Sequence, residues 1–441
     1  MNAPKSALAD RPDVPARLTR AGWKIVVLAS LGGTLEFYDF VVFGVFARDI
    51  ATAIFPAGSL LVSLMASFAA FAAGYMARPI GGIVLSHYGD RYGRRTVFLV
   101  SVFVMSCATI GMGLVPPHAR WGAAASALMV TLRIVQGLCL GGELPGALTY
   151  AVETAPRLSP LVGAIVFACV TMGVAAATGV SLSLRTLLPP ETVPAIAWRI
   201  AFIVGGLGGI VSFLLRRSLE ESPEFARMRS LASRRPFREV LRTHAPQVLV
   251  GCAVLAGTAC FNGLFFSHLP AYLSGVLRYD ARQSVYSQTV GVIASAAGIL
   301  ATGWLGGRVA PRYLLRAGVA LLVLFAWPFY AALEAGTSHL TAILTMAGLA
   351  AGLTNGSFAC LLTDLFPTRI RFTGVALVFN VSFTAFSGTA PLFATTLIRA
   401  IGTAAGPALL MIGCGLLALA GSVWLARDGG YVLGPRQRTA P

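Results

Sequence analysis

The chain has 441 residues, of which 56% are hydrophobic and only 12% charged, and it carries a formal net charge of +17. An ordinary soluble domain holds about 25% charged residues, so there is too little polar side chain to clothe a water-soluble particle, and a bilayer is the expected solvent. The basic surplus is divided among short loops rather than gathered in one patch, which argues against a nucleic-acid partner.

A membrane-spanning helix needs roughly 20 apolar residues. Twelve such stretches follow one another, beginning near Trp23, Ser59, Thr96, Trp121, Pro160, Ala195, Pro246, Ser284, Tyr313, His339, Phe372 and Ala404. Each is bounded by charges, prolines or both, which fits helices and not the short alternating strands of a membrane barrel. The first follows a polar lead, lacks a small-residue cleavage site and has eleven more spans behind it, so it reads as a span and not as a signal peptide. If the N-terminus is cytoplasmic, the inside segments hold 25 basic residues and the outside segments seven. That asymmetry sets both termini in the cytoplasm.

Within the first span, "LGGTLEFYDFVVFGVF" (residues 31–46) places Glu36 and Asp39 among apolar neighbours. A charged side chain at the bilayer centre costs about 2.5 to 3.5 kcal/mol or more, so it persists mainly where it faces a partner or a wet cavity. Three residues apart, the two acids share a helix face, and two neighbouring carboxylates in a partly dry site repel, so at least one is expected to hold a proton. At 1.5 Å per residue Glu36 is expected roughly 20 Å into the membrane and Asp39 roughly 24 Å. In span four, Arg133 is expected about 18 Å from the opposite face, so the depths overlap. Arg133 then either forms a permanent structural ion pair with the helix-one acids or anchors an anionic substrate, with Tyr38 and Gln136 beside it as further substrate contacts. Arg78, in span two, is expected near the cytoplasmic boundary as an interfacial anchor or gate.

The seven cysteines fall in apolar stretches with no C-x-x-C and no histidine at metal spacing, so they read as packing residues. No metal or other cofactor is expected.

The spans divide into two halves. The stretch "RRSLEESPEFARMRSLASRRPFREVLRTH" (residues 216–244) is too charged to insert. The expected organisation is an N-terminal tail over residues 1–22, a six-helix bundle over 23–215, a basic linker over 216–245, a second six-helix bundle over 246–426 and a C-terminal tail over 427–441. Internal echoes support duplication. Glu153 precedes Pro156 and Gly163 at the same spacings by which Asp364 precedes Pro367 and Gly374, and "GDRYGRR" (residues 89–95) is echoed more weakly by "GGRVAPR" (residues 306–312).

Between the second and third of twelve spans, "GDRYGRR" resembles the signature loop of the major facilitator superfamily. "LEFYDF", "ARPIGG", "RIVQGLCLGGE", "WRIAF", "RRSLEESPEF" and "FPTRIRFTG" follow in family order and resemble its metabolite:proton symporter branch. The resemblance implies an all-α membrane protein of the inner membrane of a bacterium, twelve helices in two bundles related by pseudo-symmetry, driven by the proton gradient. It implies uptake of an organic acid or a compatible solute together with protons; the buried acids Glu36 and Asp39 are the expected proton carriers, Arg133 favours an anionic substrate, and a monomer amid membrane lipids is expected. It also implies that the loop with Asp90, Arg91, Gly93, Arg94 and Arg95 latches the two halves on the cytoplasmic side, while Glu143, expected to pair with loop arginines, and Glu153, Asp364 and Arg369 are further gating candidates.

From the second half, Asn262, His268, Tyr272, Asn355 and Asn380 are the hydrogen-bonding groups available to line a cavity, although any buried amide can equally hold helices together. The competing readings are a proton-coupled exporter, for which the Gly-Pro dipeptide usual in helix five of drug exporters is missing, and uptake of a zwitterionic solute. A membrane enzyme would need a nucleophile with its base, or a metal set, at one depth, and none is seen.

Overall fold

The computed structural model describes residues 20–92, 94–141, 143–155, 158–217 and 236–427. With no water in the hydrocarbon core, each segment must satisfy its own backbone hydrogen bonds, and the described chain is accordingly a succession of helices. In the first part these are α1 (Arg20–Val45), α2 (Ala47–Ile54), α3 (Leu60–Tyr92), α4 (Arg94–Leu114), α5 (His118–Trp121), α6 (Ala123–Leu140), α7 (Glu143–Thr154), α8 (Ser159–Leu187) and α9 (Val193–Arg217). In the second they are α10 (Pro236–Thr243), α11 (Ala245–Asn262), α12 (Leu269–Ala271), α13 (Ala281–Leu305), α14 (Pro311–Glu334), α15 (Leu340–Asp364), α16 (Thr368–Ser382), α17 (Ala390–Ile401) and α18 (Pro407–Arg427). Among the described residues, 10 helical stretches are long and apolar enough to cross a membrane, and α4 holds a shorter apolar stretch, Leu99–Leu114. The helix starts fall within a few residues of the spans read from the sequence.

Three features depart from that reading. First, π-helical turns at Gly263–His268 and Tyr272–Val276 interrupt the seventh apolar stretch, and another at Phe383–Gly388 separates α16 from α17. A π turn inserts an extra residue into the ladder and is common at functional sites, but it leaves no mark in apolar periodicity. Second, Gly89 to Tyr92 are helical and close α3, although the sequence suggested a loop from Gly89 onward. The connection itself, at Gly93, lies outside the described residues. Third, part of the linker is the amphipathic helix α10, whose Val240 is fully buried. The remaining tail and linker positions, 1–19, 218–235 and 428–441, lie outside the described residues.

In lipid, helices associate by close packing because the tails are as apolar as the side chains, and small residues at the contact allow it. The α3/α6 contact is built this way. A Cβ on Gly81 would overlap the backbone of Leu138, one on Gly137 the backbone of Gly74, and one on Gly141 the backbone of Arg78 and Gly82. Glycine contacts also join the two parts of the chain: Gly44 meets Ser267, Gly163 meets Ala359, and Gly303 meets Ala164. Phe167 packs edge-on against Phe358 at 4.8 Å between ring centroids.

Gly137→Val drives a branched side chain into the backbone of Gly74, so destabilisation by about 1 to 3 kcal/mol or more is expected. Gly413→Ala, where nothing lies within 4 Å of the added carbon, is expected to be tolerated. Thermal unfolding of the two detergent-purified variants by size-exclusion fluorescence checks this; equal stability would contradict the backbone-to-backbone contact.

Candidate functional site

Arg133 and Gln136 are three apart on α6 and so face the same way, toward α1. Both are fully buried. One guanidinium nitrogen of Arg133 donates to the carbonyl of Phe40 at 2.8 Å, and another donates to Oε1 of Gln136. The amide nitrogen of Gln136 in turn donates to Oγ1 of Thr109 at 2.9 Å and to the carbonyl of Asp39 at 3.3 Å. Gln136 thus ties Arg133 to α1 and α4 at once. Rings enclose the cation: its central carbon lies 3.9 Å from the centroid of Phe40, 4.8 Å from Phe43 and 4.9 Å from Phe71. Desolvated cation–π contacts contribute up to about 2 kcal/mol each, which offsets part of the cost of holding a guanidinium away from water.

Asp39, 1% exposed, points toward α9. A Cβ on Gly205 would strike its Oδ1, and one on Gly209 would stand 3.6 Å from its Oδ2. Neither carboxyl oxygen accepts a hydrogen bond among the described residues, yet the charge of Arg133 acts on the group. The acid is therefore near its cation without touching it, and the guanidinium spends its hydrogen bonds on a carbonyl and an amide.

Glu36, 3% exposed, has another neighbour. Its charge is felt by Arg78, whose guanidinium carbon lies 5.3 Å from the ring of Tyr75, 5.6 Å from Phe40 and 6.0 Å from Phe379 of α16. Arg78 is 2% exposed, so its guanidinium is enclosed by protein. Because α3 runs 33 residues, Arg78 stands roughly 27 Å from its start and roughly 21 Å from its end at 1.5 Å per residue. The electrostatic neighbours of the two acids thus include different arginines, Arg133 for Asp39 and Arg78 for Glu36, and Arg78 also lies within 6.0 Å of a ring from the later half of the chain.

The other sequence-derived candidates are placed as follows. The hydroxyl of Tyr38 donates to the carbonyl of Ala201 at 3.0 Å, so in this state it joins α1 to α9. Asn262 and Asn355 donate to each other's side-chain oxygens at 3.0 and 3.2 Å. Asn380 donates to the carbonyl of Gly141 at 2.6 Å and to that of Ala376 at 3.0 Å, bridging α16 to the break between α6 and α7. Nε2 of His268 lies 3.2 Å from Oγ1 of Thr395, and its ring stacks on Tyr272 at 5.3 Å between centroids. Asp364 is exposed at the end of α15. The side chains of Asp90, Arg91, Arg94, Arg95, Glu143, Glu153 and Arg369 lie outside the described residues, as does Gly93 altogether.

Sequence reasoning missed Phe40, Tyr75, Thr109 and the glycine face of α9. Only the last left a signal, the pairs Gly205-Gly206 and Gly208-Gly209, which offer a surface close enough for a helix-one side chain to lie against.

Residues 29–389 match the family model of the Major Facilitator Superfamily. The citrate-proton symporter of Salmonella typhi is 31% identical over 420 residues, covering 92% of this chain and 95% of that protein. The citrate-proton symporter of Klebsiella pneumoniae is 32% identical over 415 residues, with coverage of 92% and 93%. Among solved structures, the xylose transporter XylE from E. coli in a partially occluded inward open conformation aligns with a TM-score of 0.71 at 14% identity, over 93% of this chain and 98% of that one. At that identity the likeness is one of fold.

Gln136→Leu removes the acceptor for Arg133 and the donor to Thr109 while keeping similar volume. Stranding a buried donor costs about 1 to 3 kcal/mol, so the variant is expected to unfold at a clearly lower temperature in detergent. Wild-type stability would show that Gln136 does not fix the guanidinium.

Proposed function

This chain belongs to the Major Facilitator Superfamily, and we propose that it imports a small organic acid together with protons across the inner membrane of a bacterium. It is a multi-pass membrane transporter and not an enzyme. In the proposed arrangement twelve spans form two six-helix bundles, residues 23–215 and 246–426, both termini are cytoplasmic, and the bundles pivot about a central site in a monomer powered by the proton gradient. The basic bias of the inside loops supports the orientation, and relatives bearing the name citrate-proton symporter support both the proton coupling and the carboxylate class.

The observation that carries the reading is the Asp39 carboxyl, buried, without a hydrogen-bond partner among the described residues, and within the field of a fixed guanidinium. A dry carboxyl group with no hydrogen bond is cheap to hold as a neutral acid and costly to hold as an anion. Near an arginine that can still offer charge, its protonation is coupled to whatever anion the arginine binds. When Asp39 takes a proton from outside, the attraction between it and Arg133 ends, and a substrate carboxylate becomes the preferred counter-ion of the guanidinium. When Asp39 gives the proton up on the inside, its restored charge competes for the cation and helps to expel the substrate. Glu36 and Arg78 provide the second couple. Since Arg78 lies against Phe379 of α16, that couple is remade whenever the two bundles move apart.

Uptake of radiolabelled citrate into proteoliposomes, with and without an inward proton gradient, tests the proposal. Asp39→Asn is expected to lose gradient-driven accumulation while still exchanging citrate across the membrane. Normal accumulation by this variant would remove Asp39 as the proton carrier. Arg133→Lys replaces a planar fork by a point charge, and an approximately tenfold weaker apparent affinity for citrate is expected. Unchanged affinity would exclude Arg133 from the site.

A further inference from the structure

A cavity of about 720 Å³ opens where the start of α3 meets the turn between the Tyr272–Val276 segment and α13. Cavities of about 300 to 1,000 Å³ are the usual size for small-molecule sites. Its wall is apolar, from Leu60 and Leu64 of α3 and Ile398 of α17, and Arg48, Arg278 and Asp280 provide the charged groups lining it. It lies away from the Asp39–Arg133 couple and none of its lining residues takes part in that couple.

The charges are unequal in what they can offer a ligand. Asp280 uses one carboxyl oxygen to accept from the backbone nitrogen of Gln283 at 2.8 Å, which caps α13. Arg278 is exposed and holds a φ of 61°, a left-handed conformation that costs a residue with a side chain about 1 kcal/mol or more and is often kept for function. Arg48 donates from one guanidinium nitrogen to the carbonyl of Ser274 at 3.0 Å, a bond between the two halves of the chain. Elsewhere on the same face Arg185 is paired with Asp49 at 2.5 Å, and Arg199 donates to the carbonyl of Gly113 at 3.0 Å.

We infer that this cavity is an outer docking site for a small polycarboxylate, held between Arg48 and Arg278 before it enters the membrane. The inference rests on the proposed organic-acid substrate and on cytoplasmic termini, which make this the external face. Two guanidinium groups on opposite bundles can each take a carboxylate through paired N–H donors, while the apolar wall receives the carbon skeleton. A carboxylate is a stronger acceptor than a neutral peptide carbonyl. A docked anion therefore draws Arg48 from Ser274 and loosens the bond that holds the outer ends of the bundles together.

Isothermal titration of citrate into the detergent-purified full-length protein at low ionic strength tests the docking site. Arg133→Lys is expected to keep a citrate site, and adding Arg278→Gln or Arg48→Gln to that background is expected to raise its Kd about tenfold or more. Its affinity should also fall steeply as salt is added, since the rim is solvent-exposed. Loss of all binding in Arg133→Lys alone, with Arg278→Gln indistinguishable from wild type, overturns the docking site and leaves the central organic-acid site intact. A wild-type protein that binds citrate at neither site overturns both.

Discussion

The structure turns on how a guanidinium is held in a place from which water has been removed. Arg133 cannot shed its charge and cannot reach the membrane surface, so the fold must supply acceptors, rings and a counter-charge at one depth. Phe40 supplies a carbonyl and a ring, Gln136 supplies an oxygen, and Phe43 and Phe71 close the cage. The acid, Asp39, is kept near but without a hydrogen bond to the guanidinium. A direct salt bridge would saturate both partners and fix them. The observed arrangement leaves the carboxyl group able to take or lose a proton without dismantling the hydrogen bonds that position the cation.

That arrangement depends on glycine. An arginine cage between α1, α3 and α6 requires those helices to approach more closely than ordinary side chains allow, and Gly74, Gly81, Gly137 and Gly141 provide the approach by letting backbone meet backbone. On the other side of α1, Gly205 leaves room for the carboxyl group of Asp39 where a Cβ would strike it. The same device recurs between the halves, at Gly44 against Ser267 and Gly388 against Tyr75. Small residues thus allow close approach both within the first part of the chain and between the parts.

Much of this was legible in the sequence, and the boundary of legibility is physical. Composition, hydropathy and charge asymmetry revealed the spans because transfer free energy acts residue by residue. The intramembrane acids and arginines stood out for the same reason. Their pairing did not, because it depends on the rotation of each helix about its axis and on where each helix ends. Arg78 is an example: its place along α3 could be read from the sequence, but only the rotation of that helix puts its guanidinium among Tyr75, Phe40 and Phe379. The mutual pairing of Asn262 and Asn355 and the π turns are likewise settled by neighbouring helices, and nothing in the local pattern encodes them.

Hydrogen bonds join the two halves at separate places. At one end Arg48 donates to the carbonyl of Ser274, and at the other Asn380 donates to the carbonyl of Gly141. Each bond ends on a backbone carbonyl at an irregular point of a helix, the π turn Tyr272–Val276 in the first case and the break between α6 and α7 in the second. Carbonyls in regular helix are already used by the ladder, so irregular turns are where a second acceptor lone pair is most readily offered. A single charge-assisted or amide hydrogen bond contributes about 1 to 3 kcal/mol. Thr384 also donates to the carbonyl of Tyr75 at 2.8 Å, so among the described residues the halves are joined by several separate weak bonds, each of which can break without the others.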